Sequence, residues 1–238
     1  LENELRLAPS GDLALVASFG NEISEALNTK VRGLMLALEK VKVDGIVEMT
    51  PTYCSLMIHY DPLRIGYEAL CGKVRDTLGA LDDIELPEPM VIEIPTLYGG
   101  DYGPDLDYVA KHNGLTVDEV IKIHTSGTYR IYMLGFTPGF PYLGGMDERI
   151  ATPRLETPRT KIAGGSVGIA GAQTGIYPID SPGGWQIIGR TPVALYDPLS
   201  DEPILLKAGE SIRFVPIDQA TFDRLSREGR SGTTEGRV

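Results

Sequence analysis

The sequence is poor in cysteine, histidine and tryptophan, short of basic charge, and without a long apolar run. Cys54 and Cys71 are the only cysteines in 238 residues. A disulfide-stapled fold is therefore not expected, and with no secretory leader pattern the expectation is a reduced, cytoplasmic protein. Charge or proline interrupts every apolar stretch before the roughly 18–20 residues needed to cross a bilayer, which predicts a soluble chain with no membrane role. Against 33 Asp and Glu stand 22 Lys and Arg, a net charge of −11. That excess repels phosphate polymers and anionic surfaces, so nucleic acid is not an expected partner. His59, His112 and His124 are the only histidines, and no His, Cys, Asp or Glu cluster has metal-ligand spacing, so no metal is expected on this chain alone.

What is present is a globular, turn-rich composition, 42% hydrophobic with 28 glycines and 17 prolines. The length suggests two domains. In the first, the run Leu13 to Phe19 reads as a strand. Leu27, Val31, Leu34 and Leu38 then fall on one face of a helix over Ile23 to Val41. Gly45 to Thr50 and Cys54 to Tyr60 read as strands, Leu63 to Leu78 as a helix, and Met90 to Leu97 as a last strand. The order β-α-β-β-α-β is a split-βαβ, ferredoxin-like pattern, which predicts an α+β protein with an N-terminal domain over 1–97.

From Tyr98 to Tyr129 a helical insert is expected. Asp105 stands at the cap of one short helix, Asn113-Gly114 ends it, and a capping box from Thr116 to Glu119 opens the next. Lys111 and Lys122 are the only Lys or Arg in it, too few for a DNA-reading helix pair. Beyond it, Tyr129 to Leu134, Trp185 to Ile188, Pro192 to Tyr196 and Ser211 to Val215 are short β-prone segments between glycine and proline turns. They predict a β-barrel or sandwich within 98–228. Residues 229–238 read as a polar, mobile tail.

Three pieces carry the chemistry. In Gly135 to Gly145, GFTPGFPYLGG, the rings Phe136, Phe140 and Tyr142 sit on a sharply turned backbone. They form either a ligand-facing wall or an aromatic mini-core. In Pro158 to Gly171, PRTKIAGGSVGIAG, two cations precede a glycine-flanked serine. The amides of Gly164, Gly165 and Ser166 would form an anion nest, with Arg159 and Lys161 adding charge. The spacing is not that of a Walker A loop, and Ser166 reads better as a substrate-orienting or turn-capping serine than as a nucleophile, because bases are scarce. In Gln173 to Thr191, Gln173 and Tyr177 offer neutral donors and acceptors suited to an amide or lactam. Trp185 either covers a ligand or plugs the barrel. His124, on the face of Val117, Val120 and Ile121, is either a hydrogen-bonded packing residue or an acid–base group.

Together, GFTPGFPYLGG and PRTKIAGGSVGIAGAQTGIYPIDSPGGWQIIGRTP resemble the family known as KipI, as allophanate hydrolase subunit 1, or as the B subunit of 5-oxoprolinase. The likeness extends to Gly11-Asp12, Pro51-Thr52-Tyr53 and Tyr60-Asp61-Pro62. It implies a cyclophilin-like barrel after the N-terminal domain. It also implies a complex with a homologous second subunit (allophanate hydrolase subunit 2, or the 5-oxoprolinase C subunit) and a larger third subunit, which opens 5-oxoproline to glutamate with ATP. From the residues themselves, the catalytic candidates are His124, Arg159 and Ser166. The substrate-binding candidates are Phe136, Phe140, Lys161, Gly165, Gln173, Tyr177 and Trp185. A second reading is an inhibitor of a sensor histidine kinase, in which the barrel would be a docking surface. Prolyl isomerase activity would rest on the fold alone.

Overall fold

A computed structural model describes residues 5–78 and 90–228, and the expected tail over 229–238 lies outside them. The chain divides into two compact units, Leu1–Glu88 and Pro89–Val238.

The first unit opens with a hairpin of β1 (Arg6–Ser10) and β2 (Ala14–Ser18), turned at Gly11 with φ 62°. Helix α1 (Glu25–Val41) starts where the Ser24 side chain accepts the Leu27 amide at 3.2 Å, satisfying a free helix-start donor, and ends at Lys42 in the left-handed region. Its predicted face, Leu27, Val31, Leu34 and Leu38, is fully buried. Strands β3 (Ile46–Pro51) and β4 (Ser55–Tyr60) follow, then α2 (Tyr67–Leu78). This helix begins later than the apolar period suggests, because the Asp61 carbonyl and carboxylate take the amides of Leu63, Arg64 and Ile65 in a turn. The sheet order is β1-β2-β4-β3, all antiparallel, so β2 and β3, joined through α1, flank β4. Leu15, Leu56 and Ile58 meet the helices in one core with Leu70 and Val74.

One expectation is corrected. The strand read at Met90 to Leu97 exists as β5 (Val91–Tyr98), but its partners are the strands Gln186–Arg190 and Ser211–Pro216 of the second unit. The edge beside β2 belongs instead to β1, whose Pro9 is tolerated there because an edge strand has spare donors.

The second unit continues with α3 (Leu106–Asn113), α4 (Val117–Ser126), β6 (Tyr129–Leu134) and β7 (Pro141–Gly144). Next come β8 (Arg159–Ile162), β9 (Ser166–Ala170), β10 (Gln173–Ile176) and β11 (Ser181–Gly183). The unit ends with β12 (Gln186–Arg190), β13 (Ser211–Pro216) and α5 (Gln219–Glu228). Seven strands form one sheet, ordered β10-β9-β12-β5-β13-β6-β7, and the end strands β7 and β10 lie alongside each other, so the sheet nearly closes into a barrel. Strands β8 and β11 make a separate ribbon. The capping box is present, with Thr116 Oγ1 accepting the Glu119 amide at 3.2 Å and Glu119 returning to the Thr116 amide at 2.8 Å. The segment Pro192 to Tyr196 is not a strand: it holds only an isolated bridge, Tyr196 to Ile204. Its alternation reflects the burial of Val193 and Leu195 from a loop, not a ladder. No described helix is long and apolar enough to cross a membrane.

Candidate functional site

The three glycine-rich pieces converge within the second unit. A Cβ on Gly139, which has φ 81°, would lie 3.6 Å from Pro178 Cβ and 3.2 Å from the Leu195 carbonyl, so the Gly135–Phe140 turn packs on both. A Cβ on Gly164 would meet the Pro178 carbonyl and Ile179 at 3.3 Å. Gly165, with φ 83°, lies against the Thr191 carbonyl so closely that no side chain fits.

The aromatic residues are mainly a core. Phe140 stands edge-on to Trp185 and to Tyr177, with ring centroids 5.7 Å away in each case, and to Tyr142 at 5.3 Å. Phe140, Tyr177 and Trp185 are buried with Ile162, Ala170 and Ile187. Burial raises the Tyr177 phenol above its ordinary pKa, and a hydrogen bond its oxygen accepts from the Trp185 backbone partly offsets this. Arg154 covers Trp185, its guanidinium 5.9 Å from the ring centroid. Phe136 alone of these rings is outside: it is 67% exposed and has a left-handed backbone with φ 62°.

The expected anion nest is not open. The Gly164 amide donates to Asp180 Oδ1 at 2.9 Å, the Gly165 amide to the Tyr177 carbonyl at 2.7 Å, and the Ser166 amide to the Ala163 carbonyl at 3.2 Å. Lys161 Nζ is 2.8 Å from Asp180 Oδ2. Two of the three amides therefore shape the turn, the third holds an internal carboxylate, and the loop does not fit a phosphate group. Arg159 is likewise engaged, paired with Asp105 Oδ1 at 2.7 Å and donating to the Trp185 carbonyl at 3.2 Å. Asp105 does not cap α3 with its side chain, because that carboxylate also accepts the Ile187 amide at 2.6 Å. Ser166 is buried on β9, and Gln173 is half-buried at the start of β10, opposite Ala170.

His124 is fully buried, its ring tilted at 35° to that of Phe214 with 4.4 Å between centroids. Tyr98 Oη lies 2.8 Å from Nδ1, and Thr174 Oγ1 lies 2.8 Å from Nε2. Because the Thr174 hydroxyl donates to the Gly168 carbonyl at 3.1 Å, it accepts from Nε2–H, and Nδ1 accepts from Tyr98. Burial lowers the imidazole to about 3. This is the geometry of the packing reading, a neutral ring with both nitrogens engaged. Among the described residues no group of three or more His, Cys, Asp or Glu side chains is placed to hold a metal ion.

Sequence reasoning overlooked Asp180 and Arg190. Arg190 donates from Nε to the Gly164 carbonyl at 2.9 Å. A signal was there: Asp180 is the sole acidic residue between Glu156 and Asp197, in a stretch that holds Arg159, Lys161 and Arg190.

The chain is similar to the 5-oxoprolinase B subunit of Bacillus subtilis (strain 168), 43% identical over 228 residues that span 92% of this chain and 95% of that one. It is also similar to the 5-oxoprolinase B subunit of Escherichia coli O157:H7, 55% identical over 207 residues, 87% of this chain and 93% of that one. Among solved structures, the urea amidolyase of K. lactis matches 98% of this chain with 16% of its own length, at a TM-score of 0.77 and 21% identity, a likeness of fold. The model of the carboxyltransferase domain, subdomain C and D, matches residues 5–206. With the signature loops gathered in one barrel and its sequence matched nearly end to end, this chain belongs to the carboxyltransferase subdomain C and D family and to that of the 5-oxoprolinase B subunits.

Proposed function

We propose that this chain is the B-type subunit of a hetero-oligomeric 5-oxoprolinase, which opens the lactam of 5-oxoproline to glutamate with ATP. The observation that carries this reading is the identity of 43% and 55% to two such subunits, over more than nine-tenths of their lengths. The chain works with a homologous second subunit and a larger third one, and is inactive alone. An engaged turn supports that division of labour: a loop whose amides are already spent supplies shape and rim charges, and the remaining donors come from a partner. ATP serves the complex.

Within the shared site, Lys161 and the exposed Phe136 contact substrate or partner. Gly165, Ser166 and Gln173 hold the loop floor, while Phe140, Tyr177 and Trp185 support it from below. Arg159 positions this floor through Asp105, and His124 fixes the barrel behind it.

The test is ATP-dependent glutamate release from 5-oxoproline by the chain co-expressed with its partner subunits, omitting each in turn. Turnover that requires this chain is expected. Turnover unaffected by its omission would overturn the proposal.

A further inference from the structure

The ribbon register Ser181 to Ile162 brings Asp180 to the turn that follows β8, between Lys161 and Gly164. We infer that Lys161 Nζ and the Gly164 amide form a binding site for a small carboxylate ligand, which Asp180 fills from within until the ligand displaces it. The two contacts, 2.8 Å and 2.9 Å, each reach a different oxygen of one carboxylate, as two donors recognising that group do. The site favours a negative oxygen. The Asp180 carboxyl is held below its ordinary range first by the Lys161 hydrogen bond, then by the Gly164 amide, with the Arg190 charge adding to them.

The plug is replaceable. The side chains of Lys161 and Asp180 are 71% and 56% exposed, and an ion pair in that setting holds weakly. The turn keeps its form without Asp180, because Gly165 is bonded to the Tyr177 carbonyl and Arg190 to the Gly164 carbonyl. Once Asp180 is displaced, the Gly164 amide and the Lys161 ammonium suit two oxygens. A phosphate would need the amides that the turn has spent.

For its natural ligand, the carboxylate of 5-oxoproline or of glutamate, the inference rests on the proposed function. The test does not. The full chain, labelled with nitrogen-15, is titrated with sodium acetate while the Gly164 amide resonance is followed. A tethered competitor acts at high effective concentration, so Asp180→Ala should bind acetate at least about tenfold more tightly than the native chain, with a saturable Gly164 shift. Adding Lys161→Gln to that variant should abolish the shift. Should Asp180→Ala not fold, Asp180→Asn keeps an acceptor for Gly164 and should tighten binding by a smaller factor. A Gly164 resonance that acetate does not move in the vacated variant, or equal acetate affinity with and without the Asp180 carboxylate, would overturn the site. Acetate bound tightly but 5-oxoproline not bound would uphold the site and count against the 5-oxoproline reading.

Discussion

Arg159 Nη2 lies 2.7 Å from Asp105 Oδ1, and the second oxygen of that carboxylate accepts the Ile187 amide at 2.6 Å. One acid thereby fastens β8 and β12 to the start of α3. Arg159→Ala would leave a carboxylate whose side chain is only 12% exposed with a single partner. The expected loss is about 1–3 kcal/mol in urea unfolding. Arg159→Lys keeps the charge without the planar fork and should recover only part of it. An unchanged midpoint for Arg159→Ala would mean the pair fastens nothing.

His124 makes stability depend on pH. Its folded pKa is lowered to about 3, so below about 6.5 the unfolded chain binds a proton that the folded chain does not. The contribution is complete above about pH 6.5 and drains as pH falls towards 3, by about 1.4 kcal/mol per pH unit. Unfolding midpoints measured at pH 6.5 and 5 should therefore differ by about 2 kcal/mol of stability from this residue. The difference should shrink by that amount in His124→Gln.

Two phenylalanines four residues apart should respond oppositely to truncation. Phe140 is buried against Trp185, Tyr177 and Tyr142, and Phe140→Ala should cost about 3–5 kcal/mol. Phe136 is exposed with φ 62°, and Phe136→Gly should raise stability by about 1 kcal/mol through relief of the left-handed backbone. Thermal unfolding of the two variants beside the native chain decides the matter. A large loss at Phe136 would contradict its exposure.

At Gly165 both conformation and space forbid a side chain. Gly165→Ala should cost about 2–4 kcal/mol. Gly171→Ala, with φ 59° but open space around the site, should cost only about 1 kcal/mol. Chemical denaturation of both separates the steric part from the conformational part.

The sequence made the local devices legible and the long-range ones obscure. The capping box at Thr116 and Glu119 spans four residues and is found as read, as is the buried face of α1. Strand β5 was visible from its own residues, but which sheet it joins depends on β12 and β13, about a hundred residues away along the chain. Asp105 looked like a helix cap because its sequence neighbours suit one; its carboxylate answers instead to Arg159 and Ile187. At Gly164 the composition announced amides available to an anion. What it did not announce is that the fold delivers an anion of its own, Asp180.

Strand β13 lies between β5, which it pairs in parallel, and β6, which it pairs antiparallel. The first two long strands of the second unit are thus held apart by a place that only residues 211–216 can fill. On the ribosome, the barrel stays unclosed until nearly all of the second unit has been synthesised. A chain broken off after β12 has seams on β5 and β6 with nothing to pair them, and such seams invite association with other nascent chains. For this unit, synthesising residues 211–216 and closing the barrel are nearly the same event.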